Sequence, residues 1–448
     1  MLKKGLVVAA ALFCAGSAVA ETVDFDQGLD VKGIVQTLQA SVAKKDPAQK
    51  SDLAEWTVMA YINGKNNLEK YALMNVNQME MVGSTDKVKI AVELGRLSSY
   101  DSSDGGWKGE RRYIIRKDND ANHISSPVFQ EIAKADMGDW RHLVDFVAWA
   151  KQTAPAKHYM LIVWNHGSGW LKDVSKDIWT RGISYDDETG NHLSTPDMGQ
   201  ALAATGKLDI YASDACLMQM AEVGYQIKDY ADYLVQSEET EPADGYTYDT
   251  LLGPLAAKPA MSAADLAKLT AQSYTDHYTS SSKGATQSAV RSSTLPKLQT
   301  MLSAWADAVM AANESAVLKS ARSQAQHFYY SDNKDLLHFV RLIDAGTKDA
   351  AVKQLGAQIE DFLAHEVIIH NAATGSGYKN AYGLAIYVPS GSYNSNYDEL
   401  AWAKAGSWAK FAKWAKDIRD DGGNGGDDNG GGGDDNDDWS DASLHSQR

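Results

Sequence analysis

Residues 158–170 read HYMLIVWNHGSGW, and residues 208–216 read LDIYASDAC. In the first, an uncharged apolar run from Tyr159 to Trp164 stops at Asn165 and gives way to His166-Gly167-Ser168-Gly169. A short run of this kind, bounded by glycines, reads as a strand buried on both faces. The second run ends in the same manner, with Asp214, Ala215 and Cys216 at its carboxyl end. Working outward, WTVMAYIN (56–63), KVKIAVEL (87–94) and DYLVQS (232–237) read as further buried strands. Helical patterns over 68–81, 140–151, 195–204 and 217–229 separate them. Strands alternating with helices predict an α/β fold, a mostly parallel sheet covered on both faces.

Beyond residue 254 the pattern becomes helix-rich, with candidate helices at 263–279, 295–312 and 348–369. A further strand-like run, YGLAIYVP (382–389), is expected to rejoin the sheet or to form a small second one. A Trp-rich helix is expected over 399–417, with Trp402, Ala405, Ala409 and Ala412 facing a core.

The first twenty residues place Lys3 and Lys4 before an apolar run that ends in small residues at Ala18 and Ala20. That is the pattern of an export signal cleaved after Ala20. Phe13 fits a lipoprotein site at Cys14 badly, and no later run reaches the ~20 apolar residues a membrane-spanning helix needs. Residues 21–51 read as a leader or pro-segment, 52–418 as one folded domain, and 419–448 as a disordered tail rich in Gly and Asp. An exported protein, periplasmic or extracellular, is therefore expected.

Cleavage of the signal removes Cys14 and leaves Cys216 as the single thiol of the chain. No internal disulfide can then form, so the thiol is either a small core residue or a reactive group. The net charge of −16 argues against nucleic acid and anionic lipid as partners. About half of that excess lies in the tail, where the residues from Asp417 to Arg448 include ten Asp and two Arg.

In an open α/β sheet, ligands collect at the carboxyl ends of the strands. His166 and Cys216 each follow such an end, fifty positions apart, and would face each other if their strands were neighbours. A thiol is a strong nucleophile as thiolate, and an imidazole beside it can take its proton and later return one to a leaving amine. A helix starting directly after Cys216 would favour the thiolate. The backbone N–H groups of Gly167 and Cys216 are the natural donors for an oxyanion. The plainer reading is a loop histidine and a buried cysteine.

These segments resemble the clostripain family of cysteine peptidases, which have a caspase-like α/β/α fold. The resemblance is carried by WTVMAYINGKNNLE (56–69), YMLIVWNHGSGW (159–170), DACLMQMAEVGYQIKDYADYLVQSEE (214–239) and PADGYTY (242–248), with YGLAIYVP (382–389) like a later strand. NHG and DAC in this order are specific together and weak apart. The resemblance implies a catalytic dyad of His166 and Cys216, with Gly167 supplying an oxyanion amide. It also implies an acidic specificity pocket at Asp244, with Asp214 nearby, and hence cleavage of peptides after Arg or Lys. On their own, Asp244 reads as a turn residue before Gly245, and Asp214 as a helix cap. Glu238 and Glu239 could line the same cleft without a catalytic role.

Members of the family often mature by cutting themselves, and Lys172, Lys176 and Arg181 in LKDVSKDIWTRG are the candidate sites here. The typical family member depends on calcium, yet no calcium loop is found in this sequence, so calcium is the one cofactor left open. A monomer is expected. The segment HEVIIH (365–370) is not a zinc helix, because its histidines are five apart rather than four. The main rival reading is a secreted binding protein that keeps the fold without catalysis. Loss of His166 or Cys216 would mark it, and both are present.

Overall fold

The computed structural model describes residues 53–170 and 182–418. Its first half runs β1 (Ala54–Gly64), α1 (Glu69–Val82), β2 (Val88–Arg96), β3 (Gly109–Ile114), β4 (Val128–Ile132), α2 (Trp140–Thr153) and β5 (Ala156–Trp164). A small hairpin follows, β6 (Ile183–Asp186) and β7 (Asn191–Leu193), then α3 (Thr195–Thr205), β8 (Leu208–Asp214), α4 (Ala221–Ile227) and β9 (Ala231–Gln236). Next come α5 (Tyr248–Ala257), α6 (Ala263–Ser280), β10 (Ala285–Arg291), α7 (Leu295–Ala312), α8 (Ser315–Gln324), β11 (Asn333–Asp335) and α9 (Leu336–Gly346). The chain closes with α10 (Ala350–Phe362), β12 (Ile368–Thr374), β13 (Ala385–Tyr387), α11 (Ala401–Ala405) and α12 (Trp408–Asp417).

Nine strands form one sheet in the order β12-β10-β9-β8-β5-β1-β2-β3-β4. The five central strands, β9 to β2, are parallel, and both flanks are completed by antiparallel strands. β1 shows why the centre needs cover on both sides. Its Trp56, Val58, Ala60 and Ile62 pack into one core with α1, α5 and α6, while Met59 and Tyr61 enter a second core with α2, α3 and the helices from α7 onward. This is the α/β/α sandwich that the resemblance implies, with its helix-rich C-terminal part on the second face.

Local signals start the helices where expected. Ser194 and Asp197 form a reciprocal capping box with Pro196 in the first turn of α3. Three expectations are corrected. The helix read over 217–229 is only α4, which starts at Ala221. The helix read over 348–369 ends in a π-type turn over Leu363–Val367, after which residues 368–374 become an edge strand. The Trp-rich helix is broken at Gly406 and Ser407 into α11 and α12, so Trp402 and Ala412 are buried while Ala405 is exposed and Ala409 half-buried. The strands β3, β4, β10 and β12 were not read from the sequence. The run at 382–389 takes the second of its two expected forms, since β13 pairs with β11 in a separate two-stranded sheet. Among the described residues no helix is long and apolar enough to cross a membrane.

Candidate active site

The carboxyl ends of β1, β5 and β8 lie side by side at the centre of the sheet. The register pairs Ile62 with Trp164 and Trp164 with Asp214. His166 and Cys216 each lie two residues beyond that last pair, so the two loops leave adjacent strands at the same level. Asn165 N–H donates to the Asp214 carbonyl at 3.2 Å and carries the pairing one residue further. The backbones then come so close that a Cβ on Gly167 would lie 2.3 Å from the Cys216 carbonyl oxygen. Only glycine fits there. Gly167 pairs with Ile183 in an isolated bridge whose donor is the Ser168 N–H, bonded to the Gly182 carbonyl at 2.9 Å.

His166 and Cys216 line one cleft with Leu68, Trp164, Asp214, Glu241 and the turn at residues 242–245. The His166 Nε2 lies 2.7 Å from the Asn67 Oδ1, an acceptor that orients the ring from the loop after β1. Burial lowers the imidazole to about 4 and pushes the Cys216 thiol up to about 12. Both shifts favour the neutral forms of the pair. The expected helix N-terminus does not act on the thiol, because α4 starts five residues after Cys216 and Met220 precedes it. The Cys216 sulfur instead accepts from the Glu241 N–H at 3.2 Å.

Asp214 caps no helix. Its buried carboxylate accepts from the Tyr246 N–H at 3.1 and 3.2 Å and from the Tyr248 hydroxyl at 2.8 Å. Asp244 lies in the turn that Gly245 N–H closes on the Pro242 carbonyl at 2.9 Å. The turn is fastened by Asn75 of α1, whose Nδ2 donates to the Asp244 carbonyl at 3.1 Å and whose Oδ1 accepts from Trp164 Nε1 at 2.8 Å. Asp244 itself is half-buried, and its neighbours Pro242, Ala243 and Gly245 line the cleft.

Neither Glu238 nor Glu239 is among the residues that line the cleft, although the Glu239 charge is close enough to act on the Cys216 thiol. Glu238 meets Asp335 and accepts from the Gly383 N–H, while Glu239 accepts from the N–H groups of Thr240 and Tyr329. Lys172, Lys176 and Arg181 lie outside the described residues. His370 lies within β12, on a strand rather than a helix, and its ring meets Gln272. Among the described residues no group of three or more acidic, His or Cys side chains is arranged to hold a metal ion.

Two residues of the cleft were not singled out from the sequence, Asn67 and Glu241. Asn67 lies in the quoted NGKNNLE segment, and its signal is proximity to the end of β1. Glu241 directly precedes the quoted PADG turn, where one more Glu in the acidic run EETEP carries no recognisable pattern.

The profile of the clostripain family matches residues 60–418. Clostripain from Hathewaya histolytica is 33% identical over 218 residues. That match covers 44% of this chain and 41% of clostripain, so the chain spans well under half the length of this curated relative. Among solved structures, an inactive zymogen C11 protease from Parabacteroides distasonis superposes with a TM-score of 0.61 at 21% identity, over 79% of this chain and 98% of that one. A secreted C11 cysteine protease from Bacteroides thetaiotaomicron, bound to an irreversible peptide inhibitor, gives 0.59 at 21% identity, over 79% and 99%. At these identities the structural likeness speaks for the fold. The profile, which spans most of the residues that build both cores and the whole cleft, speaks for descent: the chain belongs to the clostripain family.

Proposed function

We propose that the protein is an exported cysteine endopeptidase that cleaves peptide bonds after Arg or Lys, with Cys216 as nucleophile and His166 as its acid and base. The observation that carries the reading is the shared level of the two loops on adjacent strands β5 and β8, which brings a thiol and an imidazole to one cleft. On binding of a peptide, the thiol proton passes to the His166 ring while the sulfur attacks the scissile carbonyl carbon. The N–H groups of Gly167 and Cys216 receive the resulting oxyanion. The C–N bond then breaks as the imidazolium gives its proton to the departing amine. Water, deprotonated by His166, hydrolyses the thioester and restores the thiol.

A preference for basic side chains is supported by the acidic character of the cleft. Asp214 lines it, Asp244 stands in the adjoining turn, and among the described residues no Lys or Arg shares the lining. A buried carboxylate paired with a guanidinium gives strong discrimination, because an uncharged side chain would leave it unpaired. Action as a monomer is part of the same reading. Export is supported by the N-terminal residues 1–20 and fits the secreted Bacteroides relative.

Self-cleavage after Lys172, Lys176 or Arg181 belongs to the same reading. The flanks of that segment are tied together, Ser168 N–H to the Gly182 carbonyl and Gly182 N–H to Ser168 Oγ, both at 2.9 Å. Two pieces cut there are expected to stay associated on size exclusion and to separate only in denaturant. Fully active protein that stays one chain would remove this step. The catalytic reading is tested by peptides ending in Arg, Lys, Leu or Asp, assayed with and without calcium. Cleavage after Leu or Asp would retain the dyad and remove the acidic pocket, while silence on every peptide would favour a binding protein.

A further inference from the structure

We infer that Glu241 is a positioning residue that works as a neutral carboxylic acid, its side chain donating a hydrogen bond to Asp214 while its backbone holds the Cys216 sulfur. The inference deepens the cysteine-peptidase reading above and rests on it.

Glu241 touches the nucleophile twice through its backbone. Its N–H donates to the sulfur at 3.2 Å, and its carbonyl lies 3.9 Å away as an acceptor for the S–H. Its side chain is buried. Oε1 accepts from Gln287 Nε2 at 3.3 Å, and the buried carboxyl has one further, looser donor in the Ala215 N–H. The Asp214 and Glu241 carboxyl groups are in hydrogen-bond contact. Two carboxyl groups can share a hydrogen bond only with a proton between them, and no Lys, Arg or His pairs with either among the described residues.

The proton's owner follows from the remaining partners. Asp214 already accepts the Tyr246 N–H on both oxygens and the Tyr248 hydroxyl at 2.8 Å, as a charged carboxylate does, whereas Glu241 has only the 3.3 Å bond from Gln287 and the looser approach of the Ala215 N–H. Glu241 therefore carries the proton. The other titratable groups facing the pair are His166, Cys216, Glu239, Asp244, Tyr246, Tyr248, Tyr274 and Tyr278, and His166, the one base among them, is pushed toward its neutral form by burial. Burial and the Asp214 charge hold the Glu241 proton well above the usual carboxyl range. As pH rises until that proton leaves, two adjacent buried carboxylates repel, and residue 241 is driven from the sulfur.

Glu241→Gln supplies a permanent neutral isostere, with an amide N–H for Asp214 and an oxygen for Gln287. Glu241→Ala removes the clamp. The full-length wild type and both variants would be compared from pH 5 to 9.5 by kcat/KM on an Arg-ending fluorogenic peptide, and by the rate at which iodoacetamide alkylates Cys216, located by peptide mass. Glu241→Gln is expected within about threefold of wild type near pH 6.5 and to hold its activity at alkaline pH, where wild type falls about tenfold or more. Glu241→Ala is expected to lose about 30-fold at every pH and to alkylate more slowly. The inference is overturned if Glu241→Gln is as impaired as Glu241→Ala near neutrality, or if its alkaline limb coincides with that of wild type. Failure to cleave any basic peptide would sink the substrate reading instead. The alkylation rates then decide, and equal rates with equal pH dependence in wild type and Glu241→Gln overturn the clamp.

Discussion

Gly245 has φ +63°, and a Cβ there would lie 2.7 Å from Asp214 Oδ1. Gly245→Ala therefore meets both backbone strain and a buried carboxylate. It is expected to cost on the order of 1–3 kcal/mol of stability and to raise KM for basic peptides, read by urea unfolding and steady-state kinetics. Asn67 makes a different contribution, because it orients the His166 ring without facing substrate. Asn67→Ala is expected to lower kcat about 10- to 100-fold with little change in KM, and an unchanged kcat would remove Asn67 from the site. His166, Gly167 and Cys216 were legible in the sequence because each follows the sharp end of an apolar run. Asn67 and Glu241 were not, since their importance arises only from approaches across 99 and 25 positions of chain. Asp214 was legible as a candidate, but its choice between cap and cleft was settled only by where Tyr246 and Tyr248 come to rest.

The misread start of α4 has a physical cause at the level of elements. Residues 217–220, LMQM, have good helical propensity, but the chain is held out of the helix by its neighbours. Leu217 takes φ +63°, Gln219 N–H donates to the Ser237 carbonyl, and Met220 bridges Ala385 of β13. Tertiary contacts override propensity there, as they do at β12, whose short run continues directly from a helix. The central strands were legible because burial on both faces makes them uniformly apolar, whereas β3 and β4 carry charged and polar residues. The loop joining β1 to α1 is pinned by Lys65, buried against Glu110, Asp186 and Glu188 at 2.8, 3.1 and 2.6 Å. Lys65→Met would leave two fully buried carboxylates unpaired. A loss of about 3–5 kcal/mol is expected, together with reduced activity because Asn67 lies two residues on; an unaltered melting temperature would contradict this.

Across the whole molecule, acids are buried in unusual number. Glu222 is raised to about 7 by burial, and Asp214, Glu241, Glu238 and Asp335 are all shifted upward by burial, with Asp214 raising Glu241 further and Asp335 raising Glu238 further. A carboxyl group whose folded pKa exceeds its unfolded value binds more protons when folded, so stability falls as pH climbs from about 4.5 through the folded value. His166, lowered to about 4, works the other way below about pH 6.5, but it is one group against several. The chain is therefore expected to be more stable at pH 5.5 than at pH 8, by on the order of 3 kcal/mol in urea unfolding. A flat or rising profile would show these acids to be ionised and otherwise compensated. The account as a whole turns on one chemistry in one cleft. The most direct test is hydrolysis of Arg-, Lys-, Leu- and Asp-ending fluorogenic peptides by purified protein beside its Cys216→Ala variant. Turnover confined to Arg and Lys, and absent from the variant, is the expected result; turnover that survives Cys216→Ala would contradict it.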